Sequence, residues 1–222
     1  MPDVTRISRF GFVNCYLVRE DDGLTLVDTM VGGSSRKILA AAEQLGAPIK
    51  RIALTHAHGD HIGSLDALAE ALPGVEVIIS TRDARLLVKD VSLDPGEPQE
   101  KIRGSVSGAK TEPTRTVEAG DRIGSLEVIA APGHTPGHVA FLDARDRTLF
   151  CGDAFTTMGG VATTAKGKPV FPFAVMATWH KPTELETAKA LRRLEPARLA
   201  PGHGKIVEDP EPQMEAAIAR GL

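Results

Sequence analysis

Seven consecutive residues constrain this chain more than any other stretch. Thr55-His56-Ala57-His58-Gly59-Asp60-His61 places three imidazoles and one carboxylate within six positions. On a helix, His56 and His58 would project about 200° apart and could not share an ion, whereas in extended backbone residues two apart face the same side. The segment therefore reads as a strand-end loop. Residues 51–54 supply the buried strand before it, and Gly59 permits the turn after it. Asp60 and His61 then stand at the mouth of a helix whose apolar positions, Ile62, Leu65, Leu68, Ala69 and Leu72, recur at helical spacing. A solvated polar loop does not explain why three of the chain's seven histidines gather here. Metal chemistry does.

Before this motif, residues 4–9, 13–18 and 24–28 run apolar or alternate between turn residues, which predicts a meander of short strands. Asp28 ends the third, either as a support for a metal ligand or as a helix cap. A helix then carries Ile38, Leu39, Ala42 and Leu45 and is closed by Gly46 and Pro48. Beyond the motif, 75–79 reads as a strand and 82–89 as a short helix. Residues 90–114 hold Pro and Gly without apolar periodicity, either a lid or a surface excursion.

Strands at 114–117 and 126–130 lead into Gly133-His134-Thr135-Pro136-Gly137-His138, a histidine loop fixed by prolines and glycines. Strands at 139–142 and 148–150 precede Gly152-Asp153, a second carboxylate just past a strand. Residues 155–179 are irregular and contain Phe155, Phe171, Phe173 and Trp179, which either fill the core or line a substrate pocket. Thr183 and Glu186 predict a capping box for the helix through Leu194, with His180 before it as a solvated residue. A strand at 198–200 ends at Gly202-His203-Gly204, and one short helix completes the chain.

With 222 residues and no linker the chain is expected to fold as a single domain over 1–222. Its 26 basic residues against 29 acidic ones, without a basic block, argue against nucleic acid. The N-terminus lacks a charged-then-apolar signal pattern and no apolar run reaches spanning length, so a cytoplasmic protein without a membrane is expected. Cys15 and Cys151 lie in apolar runs and are expected as buried thiols. The expected partner is a small-molecule substrate, with a homodimer left open.

The donors at strand ends and loop mouths are His56, His58, Asp60, His61, His134, Asp153 and His203. They overfill one tetrahedral zinc but suit two ions sharing a carboxylate, for which Asp153 is the natural bridge. Taken together, His-x-His-x-Asp-His, Gly-His-Thr-Pro-Gly-His, Gly-Asp and the late Gly-His resemble the metallo-β-lactamase superfamily in its dinuclear metallo-hydrolase branch, the glyoxalase II and lactonase-like enzymes. The order and spacing match across most of the chain.

That resemblance implies an α+β fold, a four-layer αββα sandwich of mixed sheets with the metals at the sheet edge. It also implies one ion on His56, His58 and His134, a second on Asp60, His61 and His203, and Asp153 with a hydroxide shared between them. Asp28 and His138 match recurring positions that support the ligands. The ions would be two Zn, with Fe or Mn able to replace them. Departures narrow the choice. True metallo-β-lactamases lack the bridging aspartate, flavodiiron proteins carry glutamate at the position of His58, and glyoxalase II adds a C-terminal glutathione-binding region. Ribonuclease Z relatives add an RNA-binding arm. Homoserine-lactone lactonases present a tyrosine between the bridging aspartate and the last histidine, a stretch that has none here.

The expected activity is hydrolysis of a small ester, lactone or thioester by a metal-bridging hydroxide, with Asp60 passing the proton to the leaving group. The acyl portion would lie against Phe155, Phe171, Phe173 or Trp179. The rival from another class is a mononuclear iron persulfide dioxygenase using His56, His134 and Asp153.

Overall fold

The computed structural model describes residues 4–221. Met1, Pro2, Asp3 and Leu222, which the single-domain expectation also covers, lie outside the described residues. In chain order the first half comprises β1 (Val4–Arg9), β2 (Val13–Glu20), β3 (Gly23–Val27), α1 (Ser35–Leu45), β4 (Ile49–Ala53), α2 (Gly59–Ile62), α3 (Leu65–Ala71), β5 (Glu76–Ser80), α4 (Ala84–Leu87) and β6 (Arg115–Val117). The second half adds β7 (Arg122–Ile123), β8 (Leu126–Ala130), β9 (Val139–Asp143), β10 (Thr148–Gly152), β11 (Phe155–Thr156), β12 (Ala162–Thr163), α5 (Phe173–Ala177), α6 (Lys181–Arg192), β13 (Arg198–Pro201), β14 (Val207–Glu208) and α7 (Glu211–Ala219).

Two six-stranded mixed sheets result, one ordered β1-β2-β3-β4-β5-β6 and the other β14-β13-β10-β9-β8-β7. In the first, the β1–β2–β3 meander is antiparallel and β3 through β6 run parallel. In the second, only β10 and β13 are parallel.

Strand periodicity separates the layers. Tyr16, Val18, Val27, Ala53 and Ile78 of the first sheet meet Val128, Phe141, Phe150 and Ala200 of the second in one buried cluster between the sheets. Their chain neighbours Leu17, Leu26, Ile52, Val77 and Ile79 point the other way and pack with Ile38, Leu65 and Leu68 of α1 and α3. On the far side, Ala140, Leu142, Leu149 and Cys151 pack on Ala188 and Leu191 of α6 and Met214 and Ala217 of α7. Adjacent residues facing opposite ways, each face buried by a different partner, make four αββα layers. Fully burying one such side chain contributes about 1.5–3 kcal/mol relative to exposure.

The helix expected from residue 61 onward is broken after Ile62. A Cβ on Gly63 would lie 2.5 Å from the backbone nitrogen of Gly32 and 2.7 Å from the carbonyl carbon of Val31, so only glycine admits that loop. Ser64 then ties the two segments together, accepting from the Ser34 N–H at 2.9 Å and donating to the Val31 carbonyl at 2.8 Å. The expected capping box is also displaced. Thr183 lies inside α6, and His180 is the N-cap, its ring Nδ1 accepting from the Thr183 N–H at 3.3 Å. Within 155–179 the structure forms β11, β12 and α5, whereas 90–114 carries no helix or strand. Among the described residues, no helix is long and apolar enough to cross a membrane.

Candidate metal centre

The ligand motif begins where β4 ends. His58 keeps extended backbone (φ −74°, ψ 149°) as the residue before α2, so His56 and His58 can converge while Asp60 and His61 ride on the first turn. His134 comes from the loop between β8 and β9, Asp153 follows β10, and His203 follows β13. Three groups of donor atoms lie within 4.8 Å of one another: His56/His58/His134, His56/His61/Asp153 and Asp60/His61/His203. All seven donors expected from the sequence are thus brought together. Asp153 stands between the triads, with one carboxylate oxygen 3.2 Å from His61 Nε2 and the other 3.2 Å from His203 Nε2 and 3.5 Å from His134 Nε2.

Four of the five imidazoles, all but His203, are held from behind by an oxygen, and those oxygens fix which nitrogen faces inward. His58 Nε2 lies 2.9 Å from the Arg103 carbonyl, which can only accept, so this nitrogen carries the proton and Nδ1 offers its lone pair. His61 Nδ1 faces the Asp28 carboxylate at 2.8 Å and leaves Nε2 free. Thr55 Oγ1 donates to Asp28 at 2.9 Å and lies 3.1 Å from His56 Nδ1, passing the same polarity one residue further. Thr178 Oγ1 donates to the Ala174 carbonyl at 2.8 Å and lies 3.0 Å from His134 Nδ1. Outer partners of this kind orient metal-binding histidines and raise their basicity.

The inner atoms fit a metal. His56 Nε2 is buried without a hydrogen-bond partner, and His61 Nε2 and Asp153 Oδ1 have only each other, at 3.2 Å, a costly arrangement for buried polar atoms unless a cation completes them. Backbone crowding is consistent with this: a Cβ on Gly202 would stand 2.5 Å from both Asp153 Oδ1 and His61 Cε1.

The electrostatics divide along the same line. Burial, reinforced by neighbouring imidazoles, drives His56 well below its ordinary pKa, and burial also lowers His58 and His134 against the pull of Asp153, so the first triad is neutral. Burial also acts on His61 and His203, but Asp153 with Asp28 raises the former, and Asp153 with Asp60 raises the latter to about 9. Burial opposes ionisation of Asp60 and Asp153, yet His203 and His61 hold both carboxyls below the usual range. The second triad is therefore a carboxylate-rich pocket that calls for positive charge.

Two further residues expected as supports are in place. Asp28, at φ 60°, accepts from the Thr55 N–H at 2.8 Å as well as facing His61. His138 Nε2 accepts the Asp153 N–H at 3.1 Å, positioning that residue's backbone. Three supports had no signal in the sequence. Thr178 and the Arg103 carbonyl are described above; the third is Asp83, fully buried just before α4. Its carboxylate accepts from the Ala57 N–H at 3.1 Å, Thr135 Oγ1 at 2.7 Å and the Gly137 N–H at 2.8 Å, clamping the two histidine loops together. Burial outweighs these donors and pushes its pKa up to about 6.

A cavity of about 590 Å³ opens onto Asp60, Asp153, His58, His134 and His203. Phe171 and Phe173 line it, as do Ser105 and Ser107 of the 90–114 loop. Phe155 does not: it is fully buried in the cluster between the second sheet and α6/α7, because β11 turns its ring inward. Trp179 also faces away, packed in the core of the first sheet, and its indole N–H donates to the Glu100 carbonyl at 2.8 Å, pinning the long loop.

Two mixed sheets flanked by helices, with a histidine–aspartate centre for two metal ions at their edge, define a metal-dependent hydrolase. Residues 8–203 match the metallo-beta-lactamase superfamily, and the chain belongs to it. It is 46% identical over 209 residues to the uncharacterized protein YobT of Bacillus subtilis (strain 168), covering 94% of this chain and 90% of that protein. It is 32% identical over 150 residues to a hydroxyacylglutathione hydrolase of Gloeobacter violaceus, covering 66% of this chain and 50% of the relative, so it matches only half of that protein's length. The solved structure of TTHA1623 in a di-iron-bound form superposes with a TM-score of 0.66 at 28% identity, covering 93% of this chain and 94% of the other.

Proposed function

We propose that this protein hydrolyses a small ester, lactone or thioester with two metal ions held between His56, His58 and His134 on one side and Asp60, His61 and His203 on the other, joined by Asp153. The observation that carries the reading is the meeting of two complete ligand triads on one buried carboxylate. When bound, such a pair of cations supplies Lewis acidity, drawing electrons from a carbonyl and acidifying water from a pKa of roughly 15.7 to about 7. That makes a separate Ser-His-Asp arrangement unnecessary.

The chain's own residues supply orientation and proton transfer. Asp153, with a side chain 4% exposed, fixes the spacing of the triads, and Asp60, with a side chain 37% exposed, faces the cavity where a leaving group departs. Asp60, held ionised, is thus the group positioned to take the proton released by the attacking water and hand it to that leaving group. Zinc is the ion we assign, on the nitrogen and oxygen donors present; the di-iron relative makes iron the rival. The Asp60/His61/His203 triad is what favours this reading over a mononuclear iron persulfide dioxygenase.

Metal analysis of protein purified without added metal, followed by a panel of lactones, aryl esters, thioesters and phosphodiesters on the same preparation, tests the assignment. About two zinc ions per chain and turnover of a carbonyl ester are expected. One iron per chain with oxygen uptake on a persulfide would replace it with the dioxygenase, and full metal occupancy without turnover of any substrate would leave a binding role.

A further inference from the structure

The cavity over the metal centre has two aromatic walls that belong to different parts of the chain. One is the turn between β1 and β2, which carries Phe10 and Phe12; the other is the segment entering α5, which carries Phe171 and Phe173. The rings form a continuous array. Phe10 and Phe12 have centroids 6.5 Å apart, Phe12 and Phe171 meet edge-on at 5.6 Å, and Phe171 and Phe173 meet edge-on at 5.6 Å. Phe171 in turn lies 4.9 Å from the His203 ring, so the array begins at the metal centre and runs outward.

Its outer members are left open to solvent: Phe10 is 69% exposed and Phe173 67%. Large apolar side chains exposed together beside a reactive centre mark a ligand surface rather than ordinary surface scatter. Charge points the same way. Among the described residues no lysine or arginine lines the cavity, whose charged side chains besides the histidines are Asp60 and Asp153. Arg9 lies beside Phe10, 5.2 Å from the ring centroid, but it is not a lining residue.

Resting on the hydrolase reading above, we infer that the substrate is an uncharged ester or lactone with an apolar acyl chain of several carbons, laid along the array that runs from Phe10 through Phe12 and Phe171 to Phe173. An acyl donor carrying remote carboxylates, such as a glutathione thioester, finds no cation in this cavity to pair with. Water attacks the acyl carbon, the bond from that carbon to the leaving oxygen breaks, and the leaving oxygen takes the proton, giving an acid and an alcohol.

The test compares p-nitrophenyl acetate, butyrate and hexanoate with S-lactoylglutathione on the zinc-loaded protein, and measures Nile red binding on the same samples. Specificity, kcat/KM, should rise about two- to fourfold per added methylene, as partial to full burial of each CH₂ requires. The hexanoate-to-acetate ratio should fall at least fivefold in Phe10→Ala and in Phe173→Ala, Nile red should bind more weakly to both, and the ratio should not move in Val88→Ser, an exposed apolar position outside the cavity. A flat chain-length series, or a preference for S-lactoylglutathione, would overturn the inference while leaving the hydrolase standing. Absence of turnover on every ester would instead remove the hydrolase reading, and Nile red binding would still decide whether the aromatic walls hold an apolar ligand. A wild-type dimer that Phe173→Ala converts to monomer would also overturn it, by making these rings an interface between copies.

Discussion

The two ligand triads are built from the same residue types and stabilised in opposite ways. His56, His58 and His134 are buried, neutral and backed by a threonine hydroxyl, the Arg103 carbonyl and a second threonine hydroxyl. Asp60, His61 and His203 sit among the carboxylates of Asp28, Asp153 and Asp60 itself. The first is a geometric trap, in which shape and tautomer are fixed beforehand. The second is a charge trap, which holds a cation by accumulated negative charge. Asp153 belongs to both.

The sharpest way to break that division is at the shared residue. Asp153→Asn keeps the shape and removes the charge, so it should lose one or both metals and at least about 10³-fold in turnover while still folding. Two metals per chain with normal activity would end the bridging assignment.

Next in size are the groups behind the histidines. Asp28→Asn should weaken the ion of the charge trap, and Thr178→Val that of the geometric trap, each by about 10–100-fold in affinity. Stepwise metal titration followed by competition with a chelator reads the two losses separately, and identical profiles for the two variants would erase the distinction.

Asp83 gives a smaller effect with a defined sign. Its folded pKa of about 6 lies above the ordinary carboxylate value, so between about pH 4 and 6 the folded state binds the extra proton and stability falls as pH rises, levelling above that window. The rise from the ordinary carboxylate value to about 6 corresponds to about 3 kcal/mol at most. In chelated protein the difference between wild type and Asp83→Asn, measured by urea unfolding, should carry this slope. A difference independent of pH would mean that the carboxylate ionises normally in the fold.

The smallest effect is at His180. As the N-cap of α6 it should cost about 1 kcal/mol when replaced by alanine, with metal content unchanged. A change in metal content would place the residue in the centre after all.

What could be read from the sequence were features with a local signature. The His56–His61 spacing, the glycine-flanked His134 and His203, and Asp153 past a strand each announced themselves, and period-two alternation gave most strands. What could not be read depends on backbone meeting backbone across long separations. Nothing near Arg103 says that its carbonyl will meet His58, and nothing near Gly63 says that Gly32 will press against it. Asp83 carries no motif, since a lone carboxylate after a strand resembles any cap. Phe155 and Trp179 were ambiguous in principle, because core and pocket both bury aromatic rings. The Phe10–Phe12 turn carries no motif, and only the fold sets it opposite α5.

The seam that fixes His203 has a consequence in time. Tyr16 donates to the Pro201 carbonyl at 2.6 Å, and Asn14 Nδ2 donates to the Pro201 and Gly204 carbonyls at 2.9 and 2.7 Å, so His203 is seated by a strand synthesised long before it. At about 5–20 residues per second, a ribosome takes roughly 7–28 seconds to pass from His61 to His203. Throughout that interval the nascent chain displays the His56–His61 motif without its full set of partners. The centre therefore closes only when the second sheet, which carries His134, Asp153 and His203 at its strand ends, docks on the first.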